Sequence, residues 1–242
     1  MLKNITLHKV TNYEAMSQKA AEIFAEAVNN NPTGAYGFAT GSTPIGMYNA
    51  LTQMHKANKT NLSQITAFNL DEYHPIKASD PQSYAYFMQK HLFAETGITK
   101  SFIPNGEARD TDKECLAYDE KLSANPIQMQ ILGIGTNGHI GFNEPAQNLL
   151  ATTSYVPLAE ATIESNSRLF DSPDQVPRHA LTMGIHSIMM AKRILLLASG
   201  ASKADIIRQT IYGPITTQIP ATLLQLHHDV TIIVDKDAAE FL

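Results

Sequence analysis

The sequence is poor in cysteine, with Cys115 as its single example among 242 residues. One cysteine excludes an internal disulfide and cannot form a zinc cluster by itself. Its position within a helical pattern predicts that it packs in the interior of the protein. The chain also lacks an apolar run that could cross a membrane, and its first residues lack the apolar core of a signal peptide. We therefore expect a cytoplasmic protein without a membrane partner.

Positive charge is also scarce, because 18 lysines and arginines are set against 23 aspartates and glutamates, for a formal net charge of −5. This acidic balance argues against a nucleic-acid partner. The hydrophobic fraction of 43% and the charged fraction of 17% are ordinary for a globular chain. We find no internal repeat or low-complexity tract, so residues 1–242 are interpreted as a single α/β domain. A polar, weakly periodic segment at about residues 150–178 is interpreted as a lid.

Strand-like and helix-like segments alternate along the chain. Buried strands are predicted near residues 36–38, 65–70, 127–134, 180–183, 193–198 and 230–234, with a short one at 152–158. Helices are predicted to begin at polar capping residues, namely Asn12, Thr43, Ser83, Thr111 and Ser202. This alternation predicts a mostly parallel, doubly wound sheet with helices on both faces.

The stretch at residues 131–145 is the most informative part of the sequence. A buried strand runs into a turn with glycines at positions 133, 135, 138 and 141, and these let the backbone turn tightly and approach a ligand closely. The same turn carries Asn137, His139, Asn143 and Glu144. Because α/β proteins usually build their sites where a strand ends in such a turn, an imidazole and a carboxylate here predict a functional site.

Two other interpretations of this turn compete with that prediction. Residues 133–138 match the G-x-G-x-x-G pattern of a dinucleotide-binding turn. That pattern requires a helix directly after the third glycine, and Gly141 and Pro145 would interrupt one. A plain structural turn with a solvent-facing histidine explains the glycines, but it does not explain why His139 and Glu144 share one short loop.

Two strand-to-helix turns contain glycine and hydroxyl groups. Gly41, Ser42 and Thr43 follow the strand at residues 36–38, and backbone N–H groups at such a turn favour an anion such as phosphate. The turn is not a P-loop, because the lysine and the longer spacing are missing, and a plain capped turn is the alternative. A second turn at residues 199–203 ends on Lys203, so the two turns together could hold one phosphate.

Asp71 and Glu72 follow the strand at residues 65–70, which puts two carboxylates where open α/β sheets bind ligands. One of them can face the ligand while the other turns away, and a partly desolvated carboxylate there could abstract a proton. The alternative is the solvated start of a loop. Nearby, Tyr84 and Tyr86 are interpreted mainly as packing residues. Arg168 lies on the predicted lid. It is interpreted either as a residue that contacts a phosphate when the lid closes or as a solvated surface charge.

Several of these motifs occur in an order that resembles the glucosamine-6-phosphate deaminase family. They are residues 39–44 (ATGSTP), 68–73 (FNLDEY), 133–145 (GIGTNGHIGFNEP), 165–168 (SNSR) and 200–204 (GASKA). The resemblance spans nearly the whole chain, and residues 133–145 are its most specific part. It implies a Rossmann-like fold, no cofactor, no metal, and the conversion of an amino sugar phosphate, glucosamine 6-phosphate, with water to fructose 6-phosphate and ammonia.

The resemblance also implies roles for individual residues. Asp71 matches the base that moves the proton on C2. His139 matches the group that opens the sugar ring, a task that suits a histidine near neutral pH. Glu144 and Asn137 are the other implied catalytic positions. The implied substrate-binding positions, chiefly for the phosphate, are Gly41, Ser42, Thr43, Gly138, Arg168 and Lys203.

Two departures from the family pattern carry expectations. Asn137 is neutral where some members carry an aspartate, so it would support His139 by hydrogen bonding without adding negative charge. The chain stops near Leu242, whereas longer members of the family are hexameric and allosteric. We therefore expect little allostery and a monomer or a small homo-oligomer.

Three other functions compete with the deaminase interpretation. A 6-phosphogluconolactonase-like hydrolase on a related fold would need no base at C2. A non-catalytic sugar-phosphate-binding domain of a transcription regulator would carry a helix-turn-helix and a basic face, and the first predicted helix leads directly into the sheet. The third alternative is a degenerate binder that keeps the pocket but has lost turnover.

Overall fold

The structure is a computed structural model, and it describes residues 2–160, 163–164 and 176–242. The strands in these residues are β1 Ile5–Lys9, β2 Ala35–Phe38, β3 Thr66–Asn69, β4 Asp71–His74, β5 Lys100–Phe102, β6 Ile127–Leu132, β7 Ser154–Pro157, β8 His179–Thr182, β9 Ile194–Ala198 and β10 Val230–Val234. Seven of them form one parallel sheet in the order β1-β10-β9-β6-β2-β3-β5. The predicted mostly parallel, Rossmann-like α/β fold is confirmed.

The helices in the same residues include α1 Tyr13–Asn30, α2 Ile45–Lys56, α3 Tyr84–Met88, α4 Ala94–Thr96, α5 Thr111–Ala124, α6 Ile185–Met189 and α7 Ala204–Tyr212. A π-helical turn at Gln89–Phe93 joins α3 to α4, and 3₁₀ turns occupy Ala201–Lys203 and Pro220–Leu226. Within the part of the chain that is described, none of these helices is long and apolar enough to cross a bilayer.

Helices cover both faces of the large sheet. Phe38 of β2 packs against Phe24 of α1. Phe38 is in register with Asn69 of β3, so the preceding Phe68 points to the opposite face. There it packs against Tyr118 of α5. The strands β9 and β10 are buried along their whole length, as expected for parallel strands between two helical layers.

The remaining strands form a small antiparallel sheet in the order β4-β8-β7. Only Leu70 separates β4 from β3, so the chain passes directly from the large sheet into the small one. A separate apolar cluster supports the small sheet, with Tyr73, Phe142, Leu158 and Ala180 among its members. Part of the predicted lid at residues 150–178 is therefore a strand, β7. Residues 161–162 and 165–175 of that segment lie outside the described residues.

The strand order of the large sheet reverses between β2 and β6. From β2 the chain moves outward to β3 and β5, and it then returns to β6 on the other side of β2 before reaching β9 and β10. The connections that leave β2 and β6 therefore diverge, and a crevice opens between them at the carboxyl ends of the strands. The turn at residues 39–43 and the loop at residues 133–145 both begin at this crevice.

Two of the predicted helix caps are confirmed and one at α2 is wrong. Asn12 and Ser83 accept the backbone N–H groups of residues 15 and 86 with their side chains. Thr43 does not cap α2, because the helix begins at Ile45 without a side-chain cap. The hydroxyl of Tyr13 instead accepts the N–H of Gly46 at 2.8 Å. A long-range contact thus replaces the local one that the sequence suggested.

Two further caps differ from the prediction, and the three strands β1, β4 and β5 were not predicted. Asp110 caps α5 in place of Thr111, accepting the N–H of Lys113 at 3.0 Å. Ser202 lies inside the 3₁₀ turn before α7 and caps nothing. Strand β1 lies at the edge of the sheet with only Ile5 buried, so its sequence lacks a buried pattern.

Candidate active site

A cavity of about 320 Å³ lies in the crevice between β2 and β6. Its walls come from the turn after β2, the loop after β6, the start of β4, the first residue of α3 and the 3₁₀ turn before α7. Groups that are far apart in the sequence thus share one compartment, as expected for a ligand site where a strand order reverses. The predicted site residues among its lining are Gly41, Ser42, Thr43, Asp71, Asn137, His139 and Lys203.

His139 and Glu144 form a hydrogen-bonded pair beside the cavity. Nδ1 of His139 lies 3.1 Å from Oε2 of Glu144, and the two side chains are 25% and 14% exposed. An ionised carboxylate only accepts hydrogen bonds, so this pairing favours the imidazole tautomer with its proton on Nδ1 and leaves Nε2 to exchange a proton with a ligand. Glu144 is not part of the cavity lining, and it contacts the lining residues His139 and Asn137.

Asn137 holds the same carboxylate. Its Nδ2 donates to Oε2 of Glu144 at 2.7 Å, and its Oδ1 accepts the backbone N–H of His139 at 3.1 Å. The expected hydrogen bond from Asn137 to His139 is therefore made with the backbone. An aspartate here would face the Glu144 carboxylate without a donor, so the neutral amide fits this arrangement.

Gly135 makes room for the imidazole. A Cβ at this position would lie 2.4 Å from Cε1 and 2.5 Å from Nδ1 of His139, which is far inside contact distance. The ring thus packs directly on the bare backbone of Gly135. The loop closes on itself here, because the N–H of Gly135 donates to the carbonyl of His139 at 3.0 Å.

The glycine pattern at residues 133–138 is not a dinucleotide-binding turn. Residues 133–153 contain no helix, so there is no helix start on which a pyrophosphate would bind. The glycines instead let the loop pack against a histidine ring at Gly135 and against the Asp71 carboxylate at Gly141.

Asp71 is the first residue of β4, and the residue is only 6% exposed on the cavity wall. Burial, with a smaller contribution from the charge of Glu72, raises the pKa of Asp71 to about 8. A Cβ on Gly141 would lie 3.4 Å from Oδ2 of Asp71, so the loop that carries His139 approaches this carboxylate closely. A carboxylate with a raised pKa is a stronger base and is suited to removing a proton from a bound ligand.

Glu72 points away from the cavity and accepts backbone N–H groups at the start of α3. One carboxylate of the pair thus faces the cavity and the other turns away, which is the first of the two arrangements that the sequence allowed. The alternative of a solvated loop start is wrong, because Glu72 is buried and lies in a strand.

The two glycine-containing turns face the same cavity. Gly41 has a φ of +95°, a conformation that favours glycine. From the second turn, Nζ of Lys203 donates to the carbonyl of Ile134 at 2.7 Å, and burial lowers the pKa of this lysine. The carboxylate of Asp235 holds the second turn in place by accepting the N–H of Gly200 at 3.1 Å. An anion in the cavity would therefore meet backbone, hydroxyl and ammonium donors.

The predicted substrate-binding residue Gly138 is not part of the cavity lining. Gly138 packs against Ile219, and its carbonyl accepts the N–H of Ala221 at 2.9 Å. Arg168 lies outside the described residues. The described residues also contain no group of three or more histidine, cysteine, aspartate and glutamate side chains that could hold a metal ion.

Tyr84 lines the cavity, although the sequence analysis interpreted it mainly as a packing residue. The side chains of Thr40 and Tyr73 lie near its hydroxyl. Its ring also packs parallel to Phe142, with 6.1 Å between ring centroids. The only sequence signal was its position at the start of a helix close to Asp71, because contacts with distant segments leave no local pattern.

Comparison with known proteins agrees with the geometry of this site. The family model of glucosamine-6-phosphate isomerases/6-phosphogluconolactonase matches residues 9–233. The chain belongs to this family. The resemblance seen in the sequence motifs is thereby confirmed.

Relatives within the family are similar over nearly their whole length. The chain is 51% identical to a glucosamine-6-phosphate deaminase of Thermoanaerobacter sp. (strain X514), covering 96% of this chain and 92% of the relative. It is 50% identical to one of Halothermothrix orenii, covering 96% and 97%. A solved structure described as a monomeric glucosamine-6-phosphate deaminase superimposes with a TM-score of 0.94 at 41% identity, covering 98% and 100%. A 6-phosphogluconolactonase from Trypanosoma cruzi, at 20% identity and a TM-score of 0.75 over 100% and 98%, shares the fold.

Proposed function

We propose that the protein acts as a glucosamine-6-phosphate deaminase, which converts glucosamine 6-phosphate and water to fructose 6-phosphate and ammonia. The observation that carries this proposal is its identity of 51% and 50%, over nearly the full chain, with proteins of that name. The shared cavity of Asp71 and His139 supports it, because the reaction needs a base at C2 and a proton carrier at the ring oxygen.

The first proposed step opens the pyranose ring. Nε2 of His139 takes the proton of the anomeric hydroxyl, and the imidazolium then gives this proton to the ring oxygen as the bond from that oxygen to C1 breaks. This leaves the open-chain aldehyde. Glu144 stabilises the imidazolium that forms, because its carboxylate contacts Nδ1 of His139.

The second proposed step moves the proton on C2. The Asp71 carboxylate takes this proton, the C–H electron pair forms a double bond between C1 and C2, and protonation of the aldehyde oxygen gives an enolamine. Return of a proton to C1 gives an imine at C2. Water then adds to C2 and ammonia leaves, which completes fructose 6-phosphate. The step moves only protons, water and ammonia, so the proposal includes no cofactor and no metal.

Phosphate binding is assigned to the turn of Gly41, Ser42 and Thr43 together with Lys203, while Gly138 and Arg168 are proposed from the family resemblance alone. We expect Lys203→Met to raise KM for glucosamine 6-phosphate by about 10- to 100-fold, because a charged hydrogen bond contributes about 1.5–3 kcal/mol. The measurement is the ratio of kcat/KM for glucosamine 6-phosphate to that for glucosamine. An unchanged ratio would show that Lys203 does not bind the phosphate.

Ammonia release decides between the proposed function and a lactonase. Wild-type protein incubated with glucosamine 6-phosphate is expected to release ammonia and fructose 6-phosphate in equal amounts. The same preparation should not accelerate hydrolysis of 6-phosphogluconolactone. Lactone hydrolysis without ammonia release would favour the 6-phosphogluconolactonase alternative, and sugar-phosphate binding without either activity would favour a non-catalytic binder.

We also propose that the protein acts in the cytoplasm as a monomer or a small homo-oligomer without a nucleic-acid partner. A similar solved structure at 41% identity is described as monomeric, which supports the monomer.

The segment at about residues 150–178 is proposed as a lid over the cavity. Sigmoidal kinetics that an N-acetylated sugar phosphate abolishes would contradict the expectation of little allostery.

A further inference from the structure

Glu72 is a buried charged residue that the proposed reaction steps do not use. Glu72 lies on β4 and is only 2% exposed. Its side chain points to the face opposite that of Asp71, as the side chains of successive strand residues do, and therefore away from the cavity. Oε1 accepts the N–H groups of Tyr73 and Tyr84, and Oε2 accepts that of Ala85, all at 2.9 Å. The carboxylate therefore joins β4 to the first turn of α3, where backbone N–H groups stabilise negative charge.

The residue held by this link is Tyr84. Its side chain lines the cavity together with Asp71, and its hydroxyl lies near the side chains of Thr40 and Tyr73. Its ring packs against that of Tyr73, at 4.7 Å, and that of Phe142, at 6.1 Å, in a cluster of three rings. Thr40 belongs to the turn after β2, and Phe142 belongs to the loop after β6. Tyr84 thus connects the start of β4 to both of the other walls.

We propose that Glu72 is a positioning residue for the deamination, because its hydrogen bonds hold the Asp71 carboxylate and the Tyr84 ring in fixed positions on the cavity wall. The inference rests on the proposed function. Ser83 already caps α3 without a charge, so the fold alone does not need a second, ionisable group at this helix start. Burying a carboxylate is costly, and a misplacement of about 1 Å in a reacting group can lower a rate about 10²-fold.

The charge of Glu72 also acts on the neighbouring Asp71. It is the second cause, after burial, of the raised pKa of Asp71, and burial raises the pKa of Glu72 itself to about 7 although its three N–H bonds lower it. The other ionisable groups around the pair are Asp80, Tyr84 of α3, Tyr118 of α5, and His139 and Lys203 across the cavity. Removing the charge of Glu72 should lower the pKa of Asp71, so the acid limb of the kcat/KM profile should move to lower pH.

The test uses full-length Glu72→Gln, which keeps the shape of the side chain, removes its charge and disrupts its bonds to α3. With glucosamine 6-phosphate as substrate, we expect kcat for ammonia release to fall by about 10- to 100-fold while KM changes by less than about threefold. The acid limb of kcat/KM should move to lower pH. Glu72→Asp restores the charge without the reach, so it should return the acid limb toward that of wild type while kcat stays low.

Ser83→Ala is the matched control, because Ser83 supports the same helix start and is not part of the cavity lining. It should lower Tm without moving the acid limb. The inference is overturned if Glu72→Gln retains the wild-type kcat per folded molecule and the wild-type acid limb, or if Ser83→Ala reproduces both changes. Should Glu72→Gln fail to fold, a folded Glu72→Asp with wild-type kcat overturns it, and one with reduced kcat supports it. If the wild-type protein releases no ammonia, the proposed function and this inference are both overturned. If the wild type is active and Glu72→Gln behaves like it, only this inference is overturned.

Discussion

Replacement of Asp71 by asparagine is expected to lower kcat for ammonia release by about 10³-fold or more, with KM changed by less than about threefold. Asparagine keeps the size of the side chain at the start of β4, but it cannot take a proton at neutral pH. The position is buried on the cavity wall, and Glu72 points away from the cavity, so the neighbouring carboxylate cannot replace the base. Steady-state ammonia release and product binding by calorimetry separate turnover from affinity.

Asp80→Asn is a suitable control for Asp71→Asn. Asp80 lies in the loop before α3, accepts the N–H of Gln82 at 2.8 Å and is not part of the cavity lining. Its replacement should leave kcat within about twofold of wild type. A tenfold or smaller loss in Asp71→Asn, or an equal loss in both variants, would contradict the assignment of Asp71 as the base.

The same substitution is expected to stabilise the fold at alkaline pH. Burial raises the pKa of Asp71 to about 8 in the folded protein, whereas an exposed aspartate titrates near 3.9. The folded protein thus keeps a proton that the unfolded chain loses, and the free energy of unfolding contributed by Asp71 falls as pH rises from about 4 through about 8. Asparagine has no such titration.

Urea unfolding across pH should show this difference directly. Above pH 8 we expect Asp71→Asn to exceed wild type by about 2–5 kcal/mol in the free energy of unfolding, while the two proteins should be nearly equal below pH 4. A difference that does not change with pH would show that burial does not raise the pKa of Asp71. Loss of turnover together with a gain in stability is the behaviour expected of a base held in an unfavourable environment.

Local patterns were sufficient for most of the large sheet. The strands β9 and β10 are continuous apolar runs, and Asn12 and Ser83 cap helices through contacts with residues three positions away. Such features depend only on residues that are close together in the sequence. The polar strand β4 was not recognised, because Asp71 and Glu72 are buried by pairing with β8 and by bonds to α3, both of which are long-range.

The candidate site was predictable where one stretch carries its chemistry. Residues 133–145 contain the imidazole, its carboxylate partner and the glycines that pack against them, so their association followed from the sequence. Tyr84 and Glu72 were different, because their importance depends on contacts among β4, α3 and the two crevice loops. The cap at Thr43 failed for the same reason, since a tyrosine from α1 takes its place.

Gly135→Ala is expected to lower kcat by about 10²-fold, because it displaces the imidazole of His139. The added Cβ would lie 2.4 Å from Cε1, 2.5 Å from Nδ1 and 2.7 Å from Nε2 of His139, so the ring must leave its present position. Its hydrogen bond to Glu144, now 3.1 Å, would be lost with it. Removal of a positioned acid–base group typically lowers a rate by about 10²–10⁴-fold. Ammonia release gives kcat, and NMR of the His139 ring protons reports whether the ring has moved.

Gly133→Ala separates this effect from a general effect of alanine in the loop. Neither glycine has a positive φ, so the backbone accepts alanine equally well at both positions. A Cβ at Gly133 would have no atom within 4 Å, and the imidazole would stay in place. We therefore expect Gly133→Ala to affect substrate affinity at most, with kcat within about threefold of wild type. Equal losses of kcat in the two variants would mean that loop stiffness, and not the position of His139, limits turnover.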